Sequence, residues 1–272
     1  MSESQILAPG PKLRETPAVG VRDQQIEKDY MLSWVLQGIA KHSTLSKTIV
    51  FKGGTVLKKV YFEDYRFSED LDFTLLDDTI TNEQIFEWFT EVFEYIKEEA
   101  NIPLEIIDGN EHQDGGINFY ISYVGPLGGL GANKKIKVDI SRSEKLVFKP
   151  VLNNVFIGYS DQEEHQLLCY SLEEVLVEKL RCIMQRMQAR DFYDIWYLLE
   201  IHTMDIDFYS AEFKQKCKNK EIDSTEFHTK LEQRLPQYKG RWQKSMSDQI
   251  KYLPDFDTVL REVMRHLKKL EL

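Results

Sequence analysis

The spacing of apolar residues predicts alternating helices and strands in the first half of the chain. Apolar side chains recur at helical spacing after Arg22 and, most clearly, over residues 82–100. The apolar run 48–51 and the alternating stretch 70–75 are typical of strands. Three further segments have a strand-like pattern: 104–107, 117–123 and 136–141. We therefore expect a mixed sheet flanked by helices.

The second part of the chain has helical periodicity from Ser171 onward. Ser171 and Glu174 have the spacing of a capping box, which predicts that a helix begins there. The periodicity continues to Leu199, and we expect a break near residues 187–189. Further helices are predicted over 211–216, 224–234, 240–247 and 255–270.

These patterns divide the chain into three regions. Residues 1–20 carry three prolines and few apolar side chains, so we expect a flexible arm. Residues 21–165 hold the predicted sheet with its helices, and residues 166–272 form a predicted helical domain. The order of elements is typical of an α/β or an α+β domain, and α+β is the fold class that we expect.

Charge limits the partners that the chain can bind. The formal net charge of the 272 residues is -10, which argues against a large non-specific nucleic-acid surface, because phosphates would be repelled over most of the molecule. A nucleic-acid substrate therefore needs a local basic patch.

Cysteine content and hydropathy indicate the cellular compartment. The three cysteines are irregularly spaced and include no Cys-x-x-Cys pair, so we expect reduced thiols rather than disulfides or a zinc site. The first residues contain no apolar signal segment, and no stretch approaches the roughly 18 apolar residues of a membrane span. We predict a cytoplasmic protein without membrane contact.

The densest group of chemically informative residues is 52–72. Asp70 and Asp72 are two positions apart on a predicted strand, so their side chains share one face. Such carboxylates would repel each other in a dry core, whereas a divalent cation, and Mg²⁺ in particular, accounts for the pair. The Gly-Gly-Thr run at 53–55 ends a strand and opens a helix, where backbone N–H groups and a hydroxyl suit phosphate binding.

Each of these features also has a plainer interpretation. A third carboxylate, Asp139, shares a strand face with Lys137, and it either completes a metal site or is an exposed residue paired with that lysine. An isolated Asp-x-Asp pair is more often a solvated strand face, and a Gly-Gly pair is usually a turn. The three features in this order are more specific together than any one of them alone.

The order of the motifs resembles the nucleotidyltransferase superfamily and, more narrowly, the AbiEii/AbiGii toxin family. That family carries a Phe-Lys-Gly-Gly-Thr turn, an Arg-Phe-Ser-x-Asp-hydrophobic-Asp strand, a Lys-x-Asp strand, and a helical Lys followed by Arg-Asp-x-x-Asp. The matching residues are 51–55, 66–72, 137–140, Lys179 and 190–194. The fourteen residues between Thr55 and Asp70 match the toxin branch, whereas the wider superfamily has a shorter spacing.

The resemblance implies a nucleotidyltransferase-like mixed sheet followed by a helical domain that completes the active-site cleft. Asp70 and Asp72 would then bind Mg²⁺ and the triphosphate of an NTP, with Asp139 as a possible further ligand. Lys179 would neutralise phosphate charge, and Asp191 would orient Lys179 or help to activate the attacking hydroxyl. The residues implied in nucleotide binding are Gly53, Gly54, Thr55, Lys59, Arg66 and Ser68.

Three of these residues have alternatives that bear on the architecture. Lys179 also fits a solvated helix lysine paired with a neighbouring glutamate, and Asp191 fits a salt bridge to a neighbouring arginine. On one straight helix the two residues would lie about 18 Å apart along the axis, so both serve one site only if the helix breaks. Ser68 shares a face with Asp70 and is either a phosphate-contacting or self-modified hydroxyl or a plain strand serine.

The function implied by the resemblance is Mg²⁺-dependent transfer of NMP from an NTP to tRNA. The enzyme would be a toxin that a cognate antitoxin neutralises, acting in phage defence. Transfer of NMP or phosphate onto a protein hydroxyl is an alternative that the acidic net charge favours. A non-enzymatic NTP-binding subunit is a second alternative, and the joint presence of both metal-binding aspartates with Lys179 and Asp191 argues against it.

The Gly-rich stretch 125–135 lacks Gly-Lys-Ser/Thr, so we interpret it as a hairpin loop rather than a Walker A loop.

Overall fold

The computed structural model describes residues 23–112, 115–128 and 134–272. The predicted arm, residues 1–20, and residues 129–133 of the Gly-rich stretch lie outside these ranges. The first part of the chain contains α1 (Asp23–Lys41), α2 (Leu45–Thr48), β1 (Ile49–Lys52), α3 (Gly53–Val56), a π-helical turn (Leu57–Tyr61), β2 (Asp70–Leu75), α4 (Asn82–Ala100), β3 (Leu104–Glu111), β4 (Ile117–Tyr123), β5 (Lys135–Ser141), β6 (Val151–Asn154) and β7 (Gln166–Cys169). The remainder contains α5 (Leu172–Gln185), α6 (Ala189–Trp196), a π-helical turn (Tyr197–Ile201), a 3₁₀ turn (Ile206–Tyr209), α7 (Ser210–Lys218), a 3₁₀ turn (Ser224–Glu226), α8 (Phe227–Met246) and α9 (Phe256–Leu267).

The described strands form a mixed seven-stranded sheet in the order β3-β4-β5-β2-β1-β7-β6. Strand β2 lies near its centre, antiparallel to β1 and parallel to β5. The register aligns Asp72 with Lys52 on β1 and with Asp139 on β5. The predicted α+β class with a mixed sheet is confirmed, and the sheet brings three distant motif residues side by side.

The two faces of β2 differ in burial. Leu71 and Phe73 are fully buried in the hydrophobic core, whereas the intervening Asp70 and Asp72 remain partly exposed on the opposite face. This alternation follows from the period of two along a strand. It leaves one face of β2 free for polar chemistry while the other anchors the strand in the core.

Helix α4 matches the predicted amphipathic helix over its whole length. A capping box begins it, in which Thr81 accepts from Gln84 N and Gln84 accepts from Thr81 N. Its buried stripe packs into the same core as β2, and helix α1 lies against it. None of the helices within the described ranges combines the length and apolarity needed to cross a bilayer.

Two short strands were not predicted from the sequence. Strand β7 lies in the region that we assigned to the helical domain, yet its Cys169 pairs with Phe51 of β1, so this strand belongs to the sheet. Strand β6 forms the edge next to it. Each strand has only four residues. A segment this short carries too little periodicity to distinguish a strand from a loop.

Helix α8 corrects a second prediction. The segments 224–234 and 240–247 were expected as separate helices. The structure has one helix that contains Pro236. Tyr238 and Trp242 are buried on either side of Gly240, and this packing outweighs the local helix-breaking tendency.

The break between α5 and α6 is where the sequence predicted it. Helix α5 begins after Ser171, whose Oγ accepts from Glu174 N at 3.3 Å, and it ends at Gln185. Glu174 does not complete the capping box, because its carboxylate accepts from two backbone N–H groups at residues 147–148 and pairs with Lys216 at 2.6 Å. Helix α6 begins at Ala189 and leaves a turn of three residues between the helices.

Candidate active site

A cleft of about 270 Å³ opens over the polar face of β2. Its floor includes Asp70 and Asp72, and its wall comes from α5 and the turn that follows it. Seven cations line the cleft together with its carboxylates: Lys52, Arg66, Lys137, Lys179, Arg181, Arg186 and Arg190. This local concentration of positive charge contrasts with the acidic chain as a whole and suits a polyphosphate.

The Asp72 side chain leaves no room for a side chain at Gly53. Its φ of +81° lies in the left-handed region, which favours glycine. A Cβ at this position would collide with Asp72 Oδ2. Glycine is therefore required both for the turn from β1 into α3 and for the close approach of the carboxylate.

The positive charges around Asp72 do not fully compensate its burial and its negatively charged neighbours. Burial raises the pKa of the Asp72 carboxyl, Lys52 lowers it, and the charges of Asp70 and Asp139 raise it again, with an upward net direction. Asp70 has a long contact with a cation, from its Oδ2 to Arg190 Nη1 at 3.7 Å. The two aspartates thus form a charged pair that a further cation would stabilise.

The donor set fits a divalent cation that is completed by substrate. Asp70 and Asp72 share one strand face, and carboxylate oxygens are the ligands that Mg²⁺ prefers. Among the described residues, no group of three His, Cys, Asp or Glu side chains is placed to hold a metal ion. Sites for Mg²⁺ commonly use one or two carboxylates together with phosphate oxygens and water, so two aspartates suffice here.

Asp139 lies opposite Asp72 in the β2–β5 register but has contacts of its own. Its Oδ2 is 3.5 Å from His112 Nε2 and 3.7 Å from Lys137 Nζ. The pairing with Lys137 is the plainer of the two interpretations offered by the sequence. Asp139 also raises the pKa of Asp72, so its negative charge acts on the Asp70–Asp72 pair.

The turn between α5 and α6 brings two carboxylates of α6 to Lys179 on α5. Lys179 Nζ lies 2.7 Å from Asp191 Oδ1 and 2.8 Å from Asp194 Oδ2. Burial lowers the pKa of Lys179, but the two carboxylates outweigh burial and the net direction is upward. Lys179 lines the same cleft as Asp70 and Asp72, and its charge lowers the pKa of Asp72.

Asp191 lies behind Lys179 and is fully buried. Arg186 donates to its carboxylate from Nε at 2.7 Å and from Nη2 at 3.1 Å. Burial raises the pKa of Asp191, yet Lys179 and Arg186 hold it below the ordinary value. Such a carboxylate is a weak base, so the geometry favours the orienting role of Asp191 over activation of a hydroxyl.

Gly54, Arg66 and Ser68 meet at one side of the cleft. Arg66 and Ser68 both line it. The Arg66 guanidinium is buried and donates to Asp194 from Nε at 2.6 Å and from Nη2 at 2.8 Å. A Cβ on Gly54 would collide with Arg66 Nη2. Ser68 precedes β2, which begins at Asp70, so it is not the strand residue that the sequence suggested.

Thr55 and Lys59 are not brought to the cleft. Thr55 is fully buried; its Oγ1 donates to the Asp70 carbonyl oxygen and lies 2.8 Å from Ser68 Oγ. Lys59 Nζ lies 2.7 Å from Asp29 Oδ2 on α1. Both residues were implied in nucleotide binding. In the structure, Thr55 holds the glycine turn against β2, and Lys59 joins the π-helical turn to α1.

Three motif residues at the site received no role from the sequence: Lys52, Arg190 and Asp194. Arg190 reaches Asp70, and Lys52 donates to Ser141 Oγ at 3.0 Å while facing Asp72. Asp194 binds Lys179 and Arg66 together. Each of the three lies within one of the sequence motifs that carry the family resemblance. Their position in these motifs was the signal that could have identified them as site residues.

A larger hollow of about 550 Å³ lies beside α9. It is lined by residues of that helix and its end: Arg261, Glu262, Met264, Arg265 and Lys268. A single surface helix provides all of these side chains, and the carboxylate pair is elsewhere. The smaller cleft over β2 is therefore the candidate active site.

Comparison with known proteins identifies the family. The model of the nucleotidyltransferase AbiEii toxin family, of type IV toxin–antitoxin systems, matches residues 34–262. The chain belongs to the AbiEii family. It is accordingly a nucleotidyltransferase with an α+β fold. No curated protein matches the chain.

Solved structures place the AbiEii chain among similar folds. MenT4, a nucleotidyltransferase toxin from Mycobacterium tuberculosis H37Rv, is 17 % identical, with a TM-score of 0.51 over 92 % of this chain and 85 % of MenT4. JHP933 from Helicobacter pylori is 15 % identical, with a TM-score of 0.47 over 83 % of this chain and 96 % of JHP933. At such identity the likeness to MenT4 shows a shared fold.

Proposed function

We propose that this AbiEii chain transfers NMP from an NTP to a hydroxyl of tRNA, with Mg²⁺ as the metal. A cognate antitoxin would restrain the activity in the cytoplasm, and the system would act in phage defence. The observation that carries the proposal is the placement of Asp70 and Asp72 in one cleft with the charged Lys179. A carboxylate pair facing fixed cations fits a metal-bound triphosphate.

In the proposed reaction, the acceptor hydroxyl oxygen bonds to the α-phosphorus while the bond from that phosphorus to the bridging oxygen breaks. Pyrophosphate leaves, and the hydroxyl proton passes to solvent. Asp70 and Asp72 would hold the divalent cation, which supplies charge neutralisation at the phosphates when it is bound. Lys179, Arg186 and Arg190 would neutralise phosphate oxygens from the cleft wall, in an arrangement that is fixed before the substrate binds.

The other residues of the site would position these groups. Asp191 holds Lys179 and Arg186, and Asp194 holds Lys179 and Arg66. Buried carboxylates paired in this way lock the rotamers of the cations that they contact. Among the site residues implied by the resemblance, Thr55 and Lys59 would support the fold only.

The test is incubation of the protein with each NTP in turn, labelled at the α- or the γ-phosphate. Total tRNA or total protein serves as acceptor, with Mg²⁺ or with EDTA. We expect α-label on tRNA in the presence of Mg²⁺, no γ-label on any acceptor, and no transfer by Asp72→Asn. Label on protein would identify the alternative acceptor, and γ-label would identify phosphate transfer. No transfer from any NTP would overturn the proposal.

A further inference from the structure

The end of α8 and the segment after it form an unusual surface for so acidic a chain. Residues 234–252 contain five Lys or Arg residues and one acid, whereas the whole chain has a net charge of -10. Tyr252 is 80 % exposed, and Lys251 Nζ lies 5.1 Å from the centre of its ring. We name four exposed residues of this surface the α8 rim: Arg241, Lys244, Lys251 and Tyr252.

The α8 rim adjoins the cleft at the α5–α6 turn. Tyr238, one turn before Arg241 on α8, donates from its hydroxyl to the Arg186 carbonyl oxygen at 3.0 Å. Arg241 itself donates from Nη1 to the Met187 carbonyl oxygen at 3.4 Å. Arg186 lines the cleft and Met187 follows it directly in the chain, so this part of the rim begins at the edge of the cleft.

The segment that carries Tyr252 is attached to the cleft by a second set of contacts. Gln249 accepts from Arg66 Nη1 through its side chain at 3.0 Å and from Phe67 N through its backbone carbonyl at 2.9 Å. Arg66 lines the cleft. Tyr252 is three residues further on, within about 10 Å of Gln249 by the reach of an extended chain. The exposed ring is therefore held near the cleft although it is not packed into the core.

An exposed aromatic ring beside lysine and arginine side chains is the chemistry that binds single-stranded nucleic acid. Bases stack on such rings, and the cations neutralise the phosphates on either side. We infer that the α8 rim binds the nucleic-acid acceptor of the transfer reaction, with an unpaired base stacked on Tyr252 and backbone phosphates along Arg241, Lys244 and Lys251. This inference rests on the proposed function, because it assumes that the acceptor is RNA.

The test measures binding of end-labelled, deacylated total tRNA to the whole protein without NTP. Since the stacking of a base on an aromatic side chain strengthens binding, we expect Tyr252→Ala to weaken binding by roughly fivefold to a hundredfold. Tyr252→Phe keeps the ring and should stay within about twofold of the wild type. Phe208→Ala is the matched control, because Phe208 is 75 % exposed and lies on the 3₁₀ turn before α7.

Salt dependence and kinetics provide further readouts. A plot of log affinity against log salt concentration falls with a slope that grows steeper by nearly one for each phosphate contact. Replacing Arg241, Lys244 and Lys251 together by Ala should therefore make this slope less steep by about two to three. In transfer assays, Tyr252→Ala should raise KM for tRNA and leave KM for the NTP unchanged, since the cleft is intact.

Wild-type tRNA affinity in both the Tyr252→Ala and the triple variant would overturn the inference. Loss of binding to the purified antitoxin with unchanged tRNA binding would also overturn it and would make the rim a protein-docking surface. Failure of the proposed function is read separately, from whether the wild-type protein transfers α-label to any acceptor.

Discussion

Lys179 Nζ lies 2.7 Å from Asp191 Oδ1, although the two residues are on different helices and would be about 18 Å apart on one straight helix. The three-residue turn between α5 and α6 makes the contact possible. The buried carboxylate keeps the lysine charged, and the lysine faces Asp72. The ion pair therefore connects the helical segment to the chemistry on the sheet.

Asp191→Ala should reduce both stability and transfer. Removing one partner of a buried ion pair leaves the other charge uncompensated, which typically costs about 3–5 kcal/mol. We expect a loss of that order in the free energy of urea unfolding, and a fall in kcat because Lys179 and Arg186 lose their orientation. Asp207→Ala is a control for general loss of charge, because Asp207 is 49 % exposed with a 3.9 Å surface ion pair. Full activity of a folded Asp191→Ala protein would contradict the positioning role.

Asp70→Asn and Asp72→Asn should remove transfer without destabilising the fold. Loss of the metal site removes several kcal/mol of charge stabilisation, so we expect a fall in kcat/KM of roughly a thousandfold or more. Thermal unfolding of Asp72→Asn should occur at the wild-type temperature or above it, because a carboxylate close to like charges is neutralised. Asp139→Asn should retain more activity than either variant, and equal loss in all three would instead make Asp139 a metal ligand.

Gly53→Ala should impair the site through one methyl group. The left-handed φ costs about 1–2 kcal/mol for a residue with a side chain, and the new Cβ would displace Asp72. A displacement of that kind should lower transfer by roughly a hundredfold. Gly158→Ala is the matched control, because no atom lies within 4 Å of its Cβ position. Comparable activity of the two variants in the transfer assay would show that Asp72 tolerates the shift.

The buried ion pairs should make stability fall in acid. Burial raises the pKa of Asp194, but Arg66 and Lys179 hold it below the ordinary value, and Asp191 is lowered in the same way. A carboxyl whose folded pKa is lowered stabilises the protein fully above its unfolded pKa of about 3.9 and loses that contribution as pH falls toward the folded pKa. The free energy of unfolding of the wild type and of Asp194→Asn is measured in urea at pH 7, 5, 4 and 3. The difference between the two free energies should become smaller below about pH 4. A constant difference down to pH 3 would disagree with this assignment.

Lys59→Met should lower the stability of the protein without weakening the binding of the NTP. The Lys59–Asp29 pair is mostly buried, with the lysine side chain 6 % exposed, so its removal should lower the free energy of unfolding. KM for the NTP should stay unchanged in the transfer assay. Arg190→Met is the comparison, because Arg190 lines the cleft beside Asp70 and should raise KM with little effect on stability. A raised KM for Lys59→Met alone would return Lys59 to the nucleotide site.

The sequence by itself determined the elements with strong periodicity and the chemistry of β2. Asp70 and Asp72 share a face wherever a strand forms there, because the period of two is a property of the local backbone. Helix α4, the start of α5 at Ser171 and the break before α6 follow equally from local pattern and capping. The order of motifs was also enough to indicate the family.

Tertiary structure alone decided which charged side chains reach the cleft. Lys59 and Lys179 are both motif-region lysines, yet one is held by Asp29 on α1 and the other faces Asp72. These outcomes depend on contacts between residues far apart in the chain, and local periodicity carries no information about such partners. For the same reason β7 was assigned to the helical region, since its four residues become a strand only when β6 and β1 supply the hydrogen bonds.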